Sequence, residues 1–230
     1  MHVDSAPTRA YDWLVTTHTG RGRFIVIEGG DGAGKSRLQH ALHERLVDGG
    51  HDVVLTREPG GTELGERIRE LVLAQRRVGD PVSELLLFEA ARAHLVATVI
   101  RPALERGSVV VCDRFAASST AYQGYGRGLG RELVERVNAI ATGGLAPDMT
   151  LLLDVPVEMG LRRRAGDGGA NHFDNETVAF HERVRAGFLE LARDAGAGET
   201  GSEAWCVIDA SREFGDVITG ACAALERVLG

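Results

Sequence analysis

Apolar positions along the chain follow two rhythms. Short runs at residues 24–27, 52–55, 108–112, 149–155 and 205–208 are rich in Val, Leu and Ile, the composition of strands buried on both faces. Between them apolar residues recur every three or four positions. Leu38, Leu42, Leu46 and Val47 predict a helix over 36–47, and Leu64, Ile68, Leu71 and Val72 predict one over 63–74. Leu85, Leu86, Phe88, Leu95, Val99 and Leu104 predict one long central helix over 82–106. Further helices are expected over 131–141, from Pro156 onward, and over 176–195 and 213–229. Asp48-Gly49-Gly50, Gly79-Asp80-Pro81 and Gly143-Gly144 punctuate the pattern. The glycine- and serine-rich stretch 115–130 predicts a loop or broken helix around a site. Strand alternating with helix predicts an α/β domain with a parallel sheet and crossover helices.

The length of 230 residues fits one such domain, spanning 23–230, preceded by an N-terminal extension over 1–22. That extension has neither the apolar core of a signal peptide nor the arginines of a transit peptide. No stretch approaches the roughly 20 apolar residues of a membrane span. A net charge of −7 opposes a broad surface for nucleic acid or anionic membrane, so any phosphate affinity must be local. Cys112, Cys206 and Cys222 are odd in number and form no CxxC pair, which fits reduced thiols in a cytoplasm. The eight histidines show no metal-ligand spacing.

The candidate chemistry lies at the ends of the strands. After the first strand, Gly29-Gly30-Asp31-Gly32-Ala33-Gly34-Lys35-Ser36 satisfies GxxxxGK(S/T), with Arg37 and a helix following. Glycines let successive N–H groups converge on one anion, and the new helix adds its positive end. A nucleoside triphosphate is the expected guest, with Lys35 reaching the β- and γ-phosphates and Ser36 on Mg²⁺. The second strand delivers Arg57 and the third delivers Asp113-Arg114, at the rim where open α/β sheets bind ligands. Arg57 and Arg114 suit a second phosphate, because a guanidinium matches phosphate oxygens in pairs. The alternative for each is a surface ion pair. Asp113 suits Mg²⁺, the alternative being a structural or capping carboxylate. Asp154 after the fourth strand is either a second acid near Mg²⁺ or a structural strand-end carboxylate.

With the loop GGDGAGKS, the segment REPGGT and the run DRFAASSTAYQGYGRGL in this order, the chain resembles the thymidylate kinases from about Arg23 to Leu229. The resemblance implies a three-layer P-loop kinase fold with a five-stranded parallel sheet, a homodimer, and Mg²⁺-dependent transfer of the γ-phosphoryl of ATP to dTMP. It implies that Asp31 accepts from the sugar 3′-hydroxyl, Phe88 stacks on the pyrimidine and Arg92 hydrogen-bonds a base carbonyl. Phe88, taken alone, reads as a core residue, as an aromatic at helical spacing usually is. Ser119, Thr120, Tyr122 and Gln123 fall in the matching pocket segment. Tyr122 would stand against the sugar.

The chain departs from the family in its transition-state cation, which members supply from an Arg in the phosphate loop or in a flap. The loop interior Asp31-Gly32-Ala33 carries no cation, so the flap near 162–175 is expected to supply it. Arg164 is the first candidate and Arg163 the second. Arg162 is expected near the adenine, with the loop after Asp209. His172 stands where an Arg is common and Asp174 where Glu is usual. A solvated helix end is the plain alternative for the three arginines. The altered flap leaves open a kinase for a related pyrimidine nucleotide, or a nucleotide-binding protein of weak activity.

Overall fold

The structure, a computed structural model, describes residues 22–73, 79–166, 173, 176–196 and 204–229. Most of the N-terminal extension, and the positions of His172 and Asp174, lie outside the described residues. Five strands form one parallel sheet in the order β2-β3-β1-β4-β5: β1 (Arg23–Gly29), β2 (Val53–Arg57), β3 (Val109–Asp113), β4 (Met149–Asp154) and β5 (Ala204–Asp209). β1 is central. The chain leaves it toward one edge for β2 and β3, then crosses to the other for β4 and β5, and this reversal opens a crevice beyond the β1 carboxyl end.

Period-two alternation sorts the strand residues into two cores. Ile25 and Ile27 pack with Leu38, Leu42 and Leu46 of α1 (Lys35–Asp48) and Ala221 and Leu225 of α9 (Phe214–Leu229). Phe24 and Val26 face the other way, toward Leu95, Ile100, Leu104 and Phe115. A third cluster joins Tyr122, Phe173, Phe180, Phe188 and Trp205 beneath α8 (Val178–Asp194). The remaining helices are α2 (Glu63–Leu73), α3 (Pro81–Leu95), α4 (Arg101–Glu105), α5 (Ala116–Ser119), α6 (Arg131–Thr142) and α7 (Val157–Gly166).

One expectation needs correction. The helix predicted over 82–106 is α3 followed by a π turn at Val96–Ile100 and then α4. Pro102, at the start of α4, has no N–H for the regular ladder, and the wider turn lies directly before it. Of the loop or broken helix expected over 115–130, the structure has the broken helix: α5 runs into a π segment at Thr120–Gly126. Its glycine has a packing cause. A Cβ on Gly126 would lie 2.7 Å from Phe180 Cε2, and one on Gly187 of α8 would lie 2.8 Å from the Tyr125 ring, so glycines bring the two segments together. No helix among the described residues is long and apolar enough to cross a membrane.

Candidate active site

β1 ends at Gly29, and the chain must then turn against two close neighbours. A Cβ on Gly29 would lie 2.5 Å from the Leu153 carbonyl oxygen, and one on Gly32 only 2.0 Å from that of Gly160 in α7. Gly32 and Gly34 also adopt φ of 72° and 92°, the region open to glycine. No side chain caps the start of α1 at Lys35, so the first N–H groups are left at the positive end of the helix. Asp31, Gly32, Ala33, Gly34, Lys35, Ser36 and Arg37 line a cleft of about 830 Å³. Gly29 and Gly30 lie behind its wall, their carbonyls accepting from Lys35 Nζ at 3.1 and 2.8 Å. Burial, reinforced by nearby Arg114, pushes the Lys35 ammonium down to about 8 despite Asp113, Asp31 and Glu28.

Strand pairing sets Arg57 opposite Asp113 at the ends of β2 and β3. Ser36 Oγ donates to Asp113 Oδ2 at 2.9 Å, so the two candidate metal ligands are in contact. Among the described residues no three His, Cys, Asp or Glu side chains group to hold a metal. One carboxylate with one hydroxyl fits Mg²⁺, which keeps several waters and takes other ligands from phosphates.

Arg114 has φ 73°, a strained conformation for a residue with a side chain. Its Nη1 donates to Gly29 O and Ser118 Oγ at 3.0 and 3.1 Å, and its Nη2 to Asp31 Oδ1 and the Tyr122 hydroxyl at 2.8 and 3.1 Å. Tyr122 in turn donates to Asp31 Oδ2 at 2.9 Å. Burial raises the Asp31 carboxyl, but Arg114, then Lys35 and the Tyr122 bond, outweigh it and hold the group below its ordinary value. The turn is held from below by Glu28, fully buried on β1, which accepts from Phe115 N, Ser118 N and Ser118 Oγ. Burial raises its carboxyl above the ordinary range. Glu28 and Ser118 were not among the candidates; the signal for Glu28 is a single acid at the end of an apolar strand.

At the end of β2, Arg57 lines the cleft, half exposed, and pairs with both oxygens of Glu66 at 3.2 and 3.1 Å. Arg69 of α2 also lines the cleft, donating to Pro59 O at 2.8 Å, and burial and Arg57 lower its pKa. Helical position alone gave it no distinction. Phe88, Ser119, Tyr122, Gln123 and Phe173 form the opposite wall. Thr120 is turned to α6 instead, where it accepts from Asn138 Nδ2 at 3.1 Å, and it is not part of the wall.

Arg92 is 1% exposed, and its five N–H groups are all engaged. Nε and Nη2 hold Glu58, Nη1 holds Glu89, Ser119 and Asn138, and Nη2 also reaches Phe115 O. The expected bond to a base carbonyl therefore requires one of these to be exchanged. Burial pushes Glu58 up to about 7 although Arg92 pulls it down.

Residues 27–219 match the thymidylate kinase family. The chain is 49% identical over 215 residues to a thymidylate kinase of Desulfovibrio desulfuricans, covering 90% of this chain and 96% of that one. It is 46% identical over 207 residues to one of Thermosynechococcus vestitus, covering 85% and 83%. A crystal structure of thymidylate kinase from Ehrlichia chaffeensis matches with TM-score 0.71 and 34% identity, over 89% of this chain and 98% of that one. The chain belongs to the thymidylate kinase family.

In this thymidylate kinase fold the far end of the cleft is formed by α7 and the loop after β5. Arg163 and Arg164 line it, and Arg163 Nη1 donates to Ala210 O at 2.8 Å. Arg162 is not part of the wall; it is 70% exposed beside Glu158. Ala210, Ser211, Arg212 and Phe214 complete this end, with the Arg37 guanidinium 3.7 Å from the Phe214 ring centre. Asp154 is structural: Arg185 holds both its oxygens at 2.7 and 2.9 Å.

Proposed function

We infer that this protein transfers the γ-phosphoryl group of ATP to dTMP, giving dTDP and ADP. The observation that carries the reading is the convergence of Lys35, Arg57, Arg69 and Arg114 on one cleft, together with the uncapped helix start at Lys35. The acceptor is already an anionic phosphate oxygen, so no strong general base is needed. The task is to hold two mutually repelling phosphates in line and neutralise their charge. Lys35 and the α1 N-terminus take the donor phosphates. Arg57, Arg69 and Arg114 take the acceptor phosphate.

Mg²⁺, when bound, neutralises charge on the donor phosphates; Ser36 and Asp113 are the residues that would hold it. Asp31, oriented by Arg114 and Tyr122, accepts from the sugar 3′-hydroxyl. Phe88, Tyr122 and Gln123 bound the base, and Arg163 with the loop after β5 bounds the adenine. Arg164, with Arg163 behind it, supplies the cation to the transferring phosphoryl. The protein works in the cytoplasm as a homodimer of single-domain subunits. Support for the dimer comes from Leu71, Leu86 and Ile140, exposed on the adjacent helices α2, α3 and α6.

The test is ADP release with ATP, Mg²⁺ and a panel of dTMP, dUMP, dCMP, UMP and AMP. We expect the highest kcat/KM with dTMP. Equal or better turnover of another acceptor overturns the substrate assignment, and ATP binding without turnover of any acceptor overturns the enzyme reading.

A further inference from the structure

Gln123 lines the cleft beside Phe88, Tyr122 and Phe173, yet it is only 2% exposed and its amide is fixed from behind. Nε2 donates to Oε1 of Glu84, a fully buried residue of α3, at 2.8 Å. The same carboxylate accepts from Arg127, from Nε to Oε1 at 3.1 Å and from Nη2 to Oε2 at 3.2 Å. Arg127 is itself clamped. Its guanidinium lies 4.7 Å from the centre of the Phe180 ring and 5.2 Å from that of Phe173, and it pairs with Glu176. A carboxylate salt-bridged to a guanidinium accepts hydrogen bonds and does not donate them. The Gln123 amide therefore has one permitted orientation, with its NH₂ toward Glu84 and its Oε1 turned the other way, toward the cleft.

We propose that Glu84 is a specificity-determining positioning residue: by fixing the Gln123 amide it presents the acceptor pocket with an oxygen, selecting pyrimidines that carry a hydrogen on N3. This rests on the dTMP kinase reading above. Thymine and uracil offer N3–H to that oxygen. Cytosine offers a lone pair, which leaves two acceptors facing each other in a desolvated pocket. The methyl group that separates thymine from uracil plays no part in this device. Arg127 serves it indirectly, by holding the Glu84 carboxylate in place through both its oxygens.

The experiment compares kcat/KM for dTMP, dUMP and dCMP in the unmodified protein, Glu84→Gln, Gln123→Leu and the double variant. Glu84→Gln keeps the shape but offers Gln123 either a donor or an acceptor, so the amide is free to turn. We expect the dTMP-to-dCMP ratio to fall at least about tenfold in Glu84→Gln, mainly through a lower KM for dCMP. The double variant should show the ratio of Gln123→Leu alone, because Glu84 acts through Gln123. Should Glu84→Gln not fold, Glu84→Asp withdraws the carboxylate by one methylene and should lower the ratio likewise. A ratio unchanged in the Glu84 variant, with both substrates slowed alike, overturns the proposal while leaving the function intact. Absence of dTMP turnover in the unmodified protein removes the function reading and this inference with it.

Discussion

Lys35 sits where two demands conflict: it must be charged to meet phosphate, yet burial and Arg114 push its ammonium down to about 8. A polyphosphate at the start of α1 opposes both influences and raises that pKa again. Free protein above pH 8 therefore holds mostly neutral lysine, and the complex holds a charged one. Nucleotide binding at pH 8.5 should take up protons, so the calorimetric enthalpy should vary with the ionisation enthalpy of the buffer. Donor affinity should fall as pH rises above about 8. Binding enthalpies that are the same in every buffer would count against this role for Lys35. The cation at the transferring phosphoryl is a second residue-scale matter. Gly32 cannot be replaced to supply it, since its Cβ position lies 2.0 Å from the Gly160 carbonyl oxygen. Arg164→Ala should lower kcat by about 10³ or more with little change in dTMP affinity. An unchanged kcat would remove Arg164 from the site.

At the scale of elements, what was legible depended on whether position along the chain fixes position in space. Lys35, Ser36, Arg57, Asp113 and Arg114 were readable because a parallel sheet gathers its strand ends at one rim. Arg69 and Glu58 were not, because one sits on a helix and the other just past a strand, and only packing turns them toward the cleft; Glu84, fully buried, touches the cleft only through Gln123. Thr120 shows the reverse: α5 and the π segment that follows rotate it toward Asn138 while presenting Ser119, Tyr122 and Gln123 to the pocket. Glycine content left loop and broken helix open for the same region, and the structure has the broken helix, with Gly126 and Gly187 serving its close packing on α8. Gly126→Ala should therefore cost about 1–3 kcal/mol, seen as a lower urea midpoint at unchanged slope. Unaltered stability would mean that Phe180 and Val184 have room the structure does not show.

For the whole molecule, the alternation of strands and helices carried the fold, and strand order then placed the phosphate loop at the centre of the crevice. The proposed association of subunits had no such signal. Leu64 and Leu71, Val82 and Leu86, and Leu133 and Ile140 read as ordinary positions of amphipathic helices, and only the structure shows that they are exposed on helices packed side by side, α2 on α3 and α3 on α6. In solution the mass should be about twice the 24.6 kDa of one chain, and Leu86→Asp with Ile140→Asp should return it to the monomer value. A monomer in the unmodified protein would contradict the dimer.

The phosphoryl transfer itself is open to a direct measurement, in which ATP labelled in the γ-phosphoryl group is mixed with dTMP and Mg²⁺ and the products are separated. The label should pass to dTDP in one-to-one proportion with the ADP formed, and Lys35→Ala should reduce its appearance by about 10²–10³. Label found in free phosphate, or in no nucleotide but ATP, would contradict the assignment.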